Sequence, residues 1–256
     1  MKISQPIPNP KIADYVERIL VIEDFQVVNP FVLPLYANGS PTLLFQTAKG
    51  QIKNSSNNLT LFGQTVFPEN LLIKDNFTLI AYFFKPFALY ALFGVSAQEL
   101  TDNPIDLNLL SPAKTYEFEE RLLNAQSVAT RIALLDDYVF SLIIKTKVDC
   151  ELIKYATLSI AGNSAKDALV KVQKELYVTE RTFQRLFERN IGLPPNLFRR
   201  ICQFNAAFQQ LNNRNFNKLT DVAFDNGYAD QSHFIRSFKE FTHITPKAYL
   251  NFGSQD

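Results

Sequence analysis

Residues 221–241 read DVAFDNGYADQSHFIRSFKEF, and this stretch decides the fold of the last third of the chain. Val222 and Ala223 lie on the apolar face of a short first helix, where the small alanine permits close helix approach. Gly227 can adopt the positive φ that a tight turn requires. The apolar residues after the turn recur at helical spacing, so a second helix is expected over 231–241. The stretch therefore predicts a helix-turn-helix unit.

The same pattern occurs a second time, 51 residues earlier in the chain. The matched pairs are Phe183 and Phe234, Arg185 and Arg236, Phe187 and Phe238, Pro195 and Pro246, and Phe198 and Tyr249. In the earlier copy Thr179 is a plausible N-cap for a helix over 180–190. Two copies of one small helical unit, each with an arginine at the same place, indicate a bipartite reader of duplex DNA.

The second helix of each unit has one apolar and one polar face. Arg181, Gln184 and Arg185 share the polar face in the first unit. In the major groove arginine pairs with guanine and glutamine pairs with adenine. Ile235 takes the place of Gln184 in the second unit, so a thymine methyl is the expected contact there. Thr179 and Lys239 are predicted to contact phosphates.

Residues from about 150 to 252 resemble the DNA-binding domain of the AraC/XylS family of bacterial transcription regulators. The resemblance rests on residues 221–241, on the following Thr245-Pro246 and Tyr249, and on TERTFQRLF at 179–187. It implies base contacts from Arg181, Thr182, Gln184, Arg185, Gln231, Ser232, His233 and Arg236. Gln173 and Tyr177 depart from the family pattern, which usually has Ala and Gly there, so the first unit is expected to dock less regularly.

The first 85 residues or so read as short strands separated by breakers such as Asn38-Gly39, which predicts a small antiparallel sandwich or open barrel. This half is similar to cupin-like sensor halves of the same regulators. The expected fold class is α+β: a β-rich cupin-like N-terminal domain, a helical connector, and an all-α C-terminal domain with two helix-turn-helix units. The corresponding boundaries are 1–112, 113–147 and 148–256.

Sensor halves of this kind bind a small effector or dimerise. Tyr36, Phe45, Phe62 and Tyr82 are the candidate walls of an effector pocket. The helix expected over Thr130–Thr146 carries a wide apolar stripe that includes Leu135 and Val139. A homodimer is expected, with this stripe as its surface; the alternative is that the stripe covers the sheet of its own chain. RNA polymerase is a further expected partner of a regulator.

Charge and composition favour binding over catalysis. The net charge of +1 hides an excess of basic side chains in residues 165–256 and of acidic ones before them. Both histidines, His233 and His243, lie in the second unit, so the N-terminal half lacks a histidine metal site or acid–base centre. Cys150 and Cys202 lack metal or redox spacing and are expected to be reduced. No cofactor, metal, membrane segment or signal peptide is expected, which indicates a cytoplasmic protein.

The interpretation that follows is a sequence-specific transcription regulator, not an enzyme, with double-stranded DNA as its partner. Two alternatives stay open at this point. One is a cupin-like enzyme or sugar-binding protein with an accessory helical domain. The other is a helical protein-interaction module without a DNA function.

Overall fold

The computed structural model describes residues 1–53, 55–110, 112–162 and 167–252. The strands are β1 Lys2–Ser4, β2 Val16–Asp24, β3 Phe31–Leu35, β4 Thr42–Ile52, β5 Ser55–Phe62, β6 Glu69–Ile73, β7 Phe77–Phe84 and β8 Ile105–Asp106. The helices are α1 Ala88–Phe93, α2 Pro112–Asn124, α3 Val128–Lys145, α4 Glu151–Ala161, α5 Ala168–Glu175, α6 Glu180–Ile191, α7 Pro195–Asn212, α8 Leu219–Asp225, α9 Gln231–Thr242 and α10 Pro246–Phe252.

The strands form an antiparallel sheet in the order β1-β2-β7-β4-β5-β8, and β3 and β6 pair with each other beside it. β4 joins the two parts, because it pairs with β7 and β5 and then reaches β6 through Gln51 and Leu72. This sheet with helices α1 to α3 is called the sheet domain below. Helices α4 to α10 are called the helical domain.

The outer face of the sheet is covered by helices. Phe45 and Tyr82 lie on this face and are fully buried, and the Tyr82 hydroxyl donates to Asp136 of α3 at 2.7 Å. Leu135 and Val139 of α3 are 0% exposed in the same apolar cluster. The stripe of α3 around Leu135 and Val139 therefore covers the sheet of its own chain, and these two side chains are not available to a second chain.

The inner face carries the alternate residues of the same strands, because successive side chains of a strand point to opposite faces. Leu44, Phe62, Leu79 and Ala81 lie there in a separate apolar cluster with residues of β3 and β6. A bulge at Glu17 shifts the register of β2 against β7, so that Arg18 stands opposite Phe83 on the inner face. The inner face opens toward the helical domain.

The helical domain has a core rich in phenylalanine. Phe204 of α7 contacts Phe238 and Phe241 of α9 with ring centroids 5.6 and 5.1 Å apart. Phe187 of α6 packs on Phe198 of α7 at 5.7 Å. The long helix α7 thus packs against both α6 and α9 and fixes their relative position.

The segment Tyr36–Ser40, between β3 and β4, holds the two domains together. Ala37 is 1% exposed within the apolar cluster of the helical domain. The Tyr36 ring lies 5.5 Å from Phe208 of α7 and 6.5 Å from Tyr249 of α10. The chain that leaves α3 toward the helical domain is anchored on α1, because the Thr146 hydroxyl donates to the Ala91 carbonyl at 2.7 Å.

Candidate nucleic-acid interface

The first unit consists of α5, a turn and α6. Thr179 caps α6, since its hydroxyl accepts a hydrogen bond from the backbone N–H of Thr182 at 3.3 Å. Phe183 and Phe187 are buried against the rest of the domain. The predicted base-reading residues Arg181, Thr182, Gln184 and Arg185 are all exposed on the opposite side of the helix. The structure thus brings these four side chains together on one accessible face.

The second unit consists of α8, a turn and α9. Asp230 caps α9 by accepting from the backbone N–H of His233 at 2.7 Å. The exposed residues of this helix include Ser232, Arg236 and the predicted phosphate contact Lys239, and Gln231 is half-buried at its start. These side chains follow one side of α9, as the equivalent residues do on α6.

His233 has a defined local environment. Its ring stands edge-on to Tyr228 with centroids 5.2 Å apart, and its Nδ1 lies 3.5 Å from the backbone N–H of Ala229. The side chain is half-buried at the edge of the polar face.

The two turns use the same hydrogen bonds in spite of different residues. Val178 donates its N–H to the Gln173 carbonyl at 3.4 Å, and Tyr228 donates to the Ala223 carbonyl at 2.9 Å. Tyr177 has φ +53° where Gly227 has φ +72°. The Gln173 side chain also donates to the Val178 carbonyl at 3.2 Å. The two departures from the family pattern are therefore accommodated, and the first turn still forms.

A cavity of about 330 Å³ lies between the two domains. Its apolar wall comes from the inner face of the sheet, and its other wall from Asn205, Phe208 and Gln209 of α7 and Tyr249 of α10. Tyr36 and Phe62 line this cavity as predicted. Phe45 and Tyr82 do not, because they point to the outer face, and their assignment to a pocket wall is corrected accordingly.

Arg18 also lines this cavity and was not among the predicted pocket residues. Its guanidinium lies 3.5 Å from the centre of the Phe83 ring, and burial lowers the pKa of the group, partly offset by Glu17. No ion pair or hydrogen bond joins the Arg18 guanidinium to another residue in the described part of the chain. A basic residue directly before the apolar run Ile19–Ile22 of β2 was the available signal.

Two further features concern the described residues alone. They contain no group of three or more His, Cys, Asp or Glu side chains arranged to hold a metal ion. None of their helices combines the length and the apolar character needed to cross a membrane.

Comparison with known proteins finds two family models that match separate parts of the chain. Residues 172–251 match the family described as a helix-turn-helix domain, and residues 4–106 match a domain of unknown function, DUF6597. No curated protein sequence matches the chain.

Solved structures of ToxT from Vibrio cholerae are similar over nearly the whole length. ToxT of strain O395 has a TM-score of 0.51 at 13% identity, covering 93% of this chain and 97% of that one. ToxT of strain SCE256 with an unsaturated fatty acid bound gives 0.50 at 10%, covering 91% and 93%. O395 ToxT bound to (E)-4-(8-methylnaphthalen-1-yl)but-3-enoic acid gives 0.50 at 12%, covering 98% and 99%.

These likenesses confirm the predicted fold class, in which an antiparallel sheet domain precedes an all-helical domain. The helix-turn-helix match falls on the two units that the repeat predicted. Residues 172–251 thus match a helix-turn-helix domain, and the chain as a whole shares its two-domain fold with ToxT.

Proposed function

We propose that this chain is a DNA-binding transcription regulator of the AraC type, and that its DNA binding is controlled by an acidic, largely apolar small molecule held between the sheet domain and the helical domain. One observation carries the proposal: the cavity between the domains is apolar except for a few side chains, and the guanidinium of Arg18, its only cationic lining residue in the described structure, makes no hydrogen bond or ion pair. A partly buried guanidinium whose N–H donors have no protein acceptor favours an anionic ligand group.

The position of the cavity explains how such a ligand would affect DNA binding. Its walls come from both domains, so a bound molecule contacts the inner face of the sheet together with α7 and Tyr249. Helix α7 packs directly against the recognition helix α9. A ligand that binds one arrangement of the domains more tightly than another shifts the population between them.

The ToxT structures support the chemical class of the ligand. Two of them hold, by their descriptions, an unsaturated fatty acid and a substituted butenoic acid. Both compounds join an apolar body to an acid group, which matches the chemistry of the cavity here.

On this proposal, bases are contacted by Arg181, Thr182, Gln184 and Arg185 of α6 and by Gln231, Ser232, His233 and Arg236 of α9. Thr179 and Lys239 contact phosphates. The N-terminal sensor unit comprises residues 1–112, the connector 113–147 and the DNA-binding unit 148–256. The protein acts as a regulator and not as a catalyst.

The experiment compares dodecanoic acid with dodecanol as ligands, measured by calorimetry and by the shift of the melting temperature. The acid should bind about tenfold or more tightly than the alcohol, since a hydrogen bond to a charged group contributes about 1.5–3 kcal/mol. Arg18→Met should remove this difference while the alcohol still binds. Arg121→Met, which removes a charge from the exposed face of α2, should leave it unchanged.

Equal affinities of acid and alcohol for the wild-type protein would contradict the anionic ligand. Binding of neither compound would contradict an apolar effector at this cavity. The affinity for duplex DNA with and without the acid then tests the coupling, which requires that the two values differ.

A further inference from the structure

Three arginines of α6 follow one another at intervals of four residues: Arg181, Arg185 and Arg189. Residues four apart are neighbours on a helix surface, so the three guanidinium groups form one basic stripe along α6. All three are exposed, and the first two belong to the predicted base-reading face. Arg189 continues that stripe at the C-terminal end of the helix.

In the structure Arg189 is engaged by the sheet domain. Its guanidinium carbon lies 4.7 Å from the centre of the Tyr90 ring of α1, and its terminal nitrogen donates to the Tyr90 hydroxyl. The end of α6 is held beside this contact. Thr101 donates its hydroxyl to the Gly192 carbonyl at 3.1 Å, and a side chain at Gly192 would come within 2.5 Å of the Ala97 carbonyl.

A polar crevice separates the remaining part of the stripe from the sheet domain. Thr182, Arg185 and Arg189 line one side of it, and Tyr90, Ser96 and Gln98 line the other. A DNA strand that follows the basic stripe past Arg185 would therefore reach Arg189, which lies next to the ring of Tyr90.

We propose that Arg189 is a DNA phosphate contact that Tyr90 masks, so that the guanidinium exchanges between the tyrosine and a phosphate when the protein binds duplex DNA. The sheet domain thereby lowers the DNA affinity of the first unit. The proposal rests on the DNA binding of the chain and is independent of the effector.

The second unit provides an internal contrast. Glu240 occupies in α9 the place that Arg189 has in α6, 51 positions earlier. Glu240 pairs with Arg200 of α7 and thus with a residue of its own domain. A carboxylate at this position would repel a DNA phosphate, so a phosphate contact that the sheet domain masks is expected in the first unit alone.

A double-mutant cycle on the full-length protein tests the exchange, with the variants Arg189→Gln, Tyr90→Leu and their combination. Arg189→Gln should weaken DNA binding and reduce the salt slope by about one phosphate contact. Tyr90→Leu should strengthen binding roughly two- to fivefold, since an exposed cation–π contact contributes about 0.5–1 kcal/mol. In the Arg189→Gln background, Tyr90→Leu should have no effect.

The matched controls lie on α2, away from the helical domain. Arg121→Gln removes the same charge, and Tyr116→Leu removes a ring that is 59% exposed. Neither should change the DNA affinity or the salt slope. The proposal is overturned if Tyr90→Leu leaves binding unchanged or weakens it, or if its effect persists in the absence of Arg189.

A fluorescence measurement tests the same exchange without relying on a difference in DNA affinity. The chain contains no tryptophan, so Tyr90→Trp introduces a single indole reporter that retains the cation–π contact. Saturating duplex DNA should shift the emission of the Tyr90→Trp variant, and the Tyr116→Trp variant should show no shift. An unchanged emission of the Tyr90→Trp variant in the DNA complex would mean that the contact stays closed and would overturn the proposal.

Discussion

The two helix-turn-helix units bury equivalent residues, but their exposed residues contact different parts of the molecule. Thr179 and Asp230 cap the recognition helices by the same bond, in which the side chain accepts from the third residue of the helix. At the C-terminal ends of these helices, Arg189 contacts Tyr90 of the sheet domain, whereas Glu240 pairs with Arg200 of α7. The comparison shows that the repeated buried residues determine how both units pack. Single exposed residues, such as Arg189 and Glu240, determine which part of the molecule each unit contacts.

The largest difference expected between the units lies in their cores. Phe238 of the second unit has four aromatic neighbours within about 6 Å: Phe204, Phe208, Phe234 and Tyr249. Phe187 has two, Phe183 and Phe198. Each phenylalanine→alanine change should cost about 3–5 kcal/mol of the free energy of unfolding, with Phe238→Ala at the upper end. Urea unfolding followed by circular dichroism measures both, and a larger cost at Phe187 would refute the ranking.

Next in size is the effect on base reading. Arg185→Ala and Arg236→Ala should each weaken binding to the preferred site by about 1–3 kcal/mol, because a bidentate contact with guanine is lost. Each change should relax the sequence preference at a different position, since the two arginines lie on different recognition helices. Selection of duplexes from a random pool, carried out with each variant, gives these positions. A variant that loses equal affinity for specific and random DNA contains a phosphate anchor at that position instead.

The smallest effect concerns the turns. Tyr177 is 96% exposed and has a positive φ, so Tyr177→Gly should stabilise the protein by about 0.5 kcal/mol, the relief of backbone strain exceeding the entropy of glycine. Gly227→Ala should destabilise it by about 1 kcal/mol for the same conformational reason. Thermal melting of both variants checks the opposite signs. Destabilisation by Tyr177→Gly would show that the tyrosine ring contributes more than its exposure indicates.

The repeat made the helical domain predictable from the sequence. Matched phenylalanines define the buried side of α6 and α9, and Gly227 marks the turn, because these features depend on local geometry alone. The strands of the sheet domain were also recognisable from their breakers. Their register was not, since it depends on partners that are distant in the sequence.

The candidate pocket shows the consequence of an unknown register. Phe45 and Tyr82 are apolar strand residues like Phe62, and only strand pairing decides which of them faces the cavity. Arg18 shares the inner face with Leu20 and Ile22 by regular alternation, but the sequence does not reveal which face of β2 is the inner one, nor that a bulge at Glu17 turns Val16 to the outer face. The contact between Tyr90 and Arg189 joins residues from two domains, and neither residue carries a local signal of the other.

The segment Tyr36–Ser40 connects the sheet to both copies of the duplicated helical unit. Phe198 and Tyr249 are equivalent residues of the two copies, and the segment approaches both: a methyl group on Gly39 would lie 3.8 Å from Phe198, and the Tyr36 ring faces Tyr249. The Gly39 carbonyl accepts from the buried Gln64 side chain at 3.1 Å, which ties the segment to the sheet. One short stretch of backbone therefore contacts the equivalent residue of each copy. A displacement of this segment would act on both units together, because it contacts both copies and α7 packs against α6 and α9.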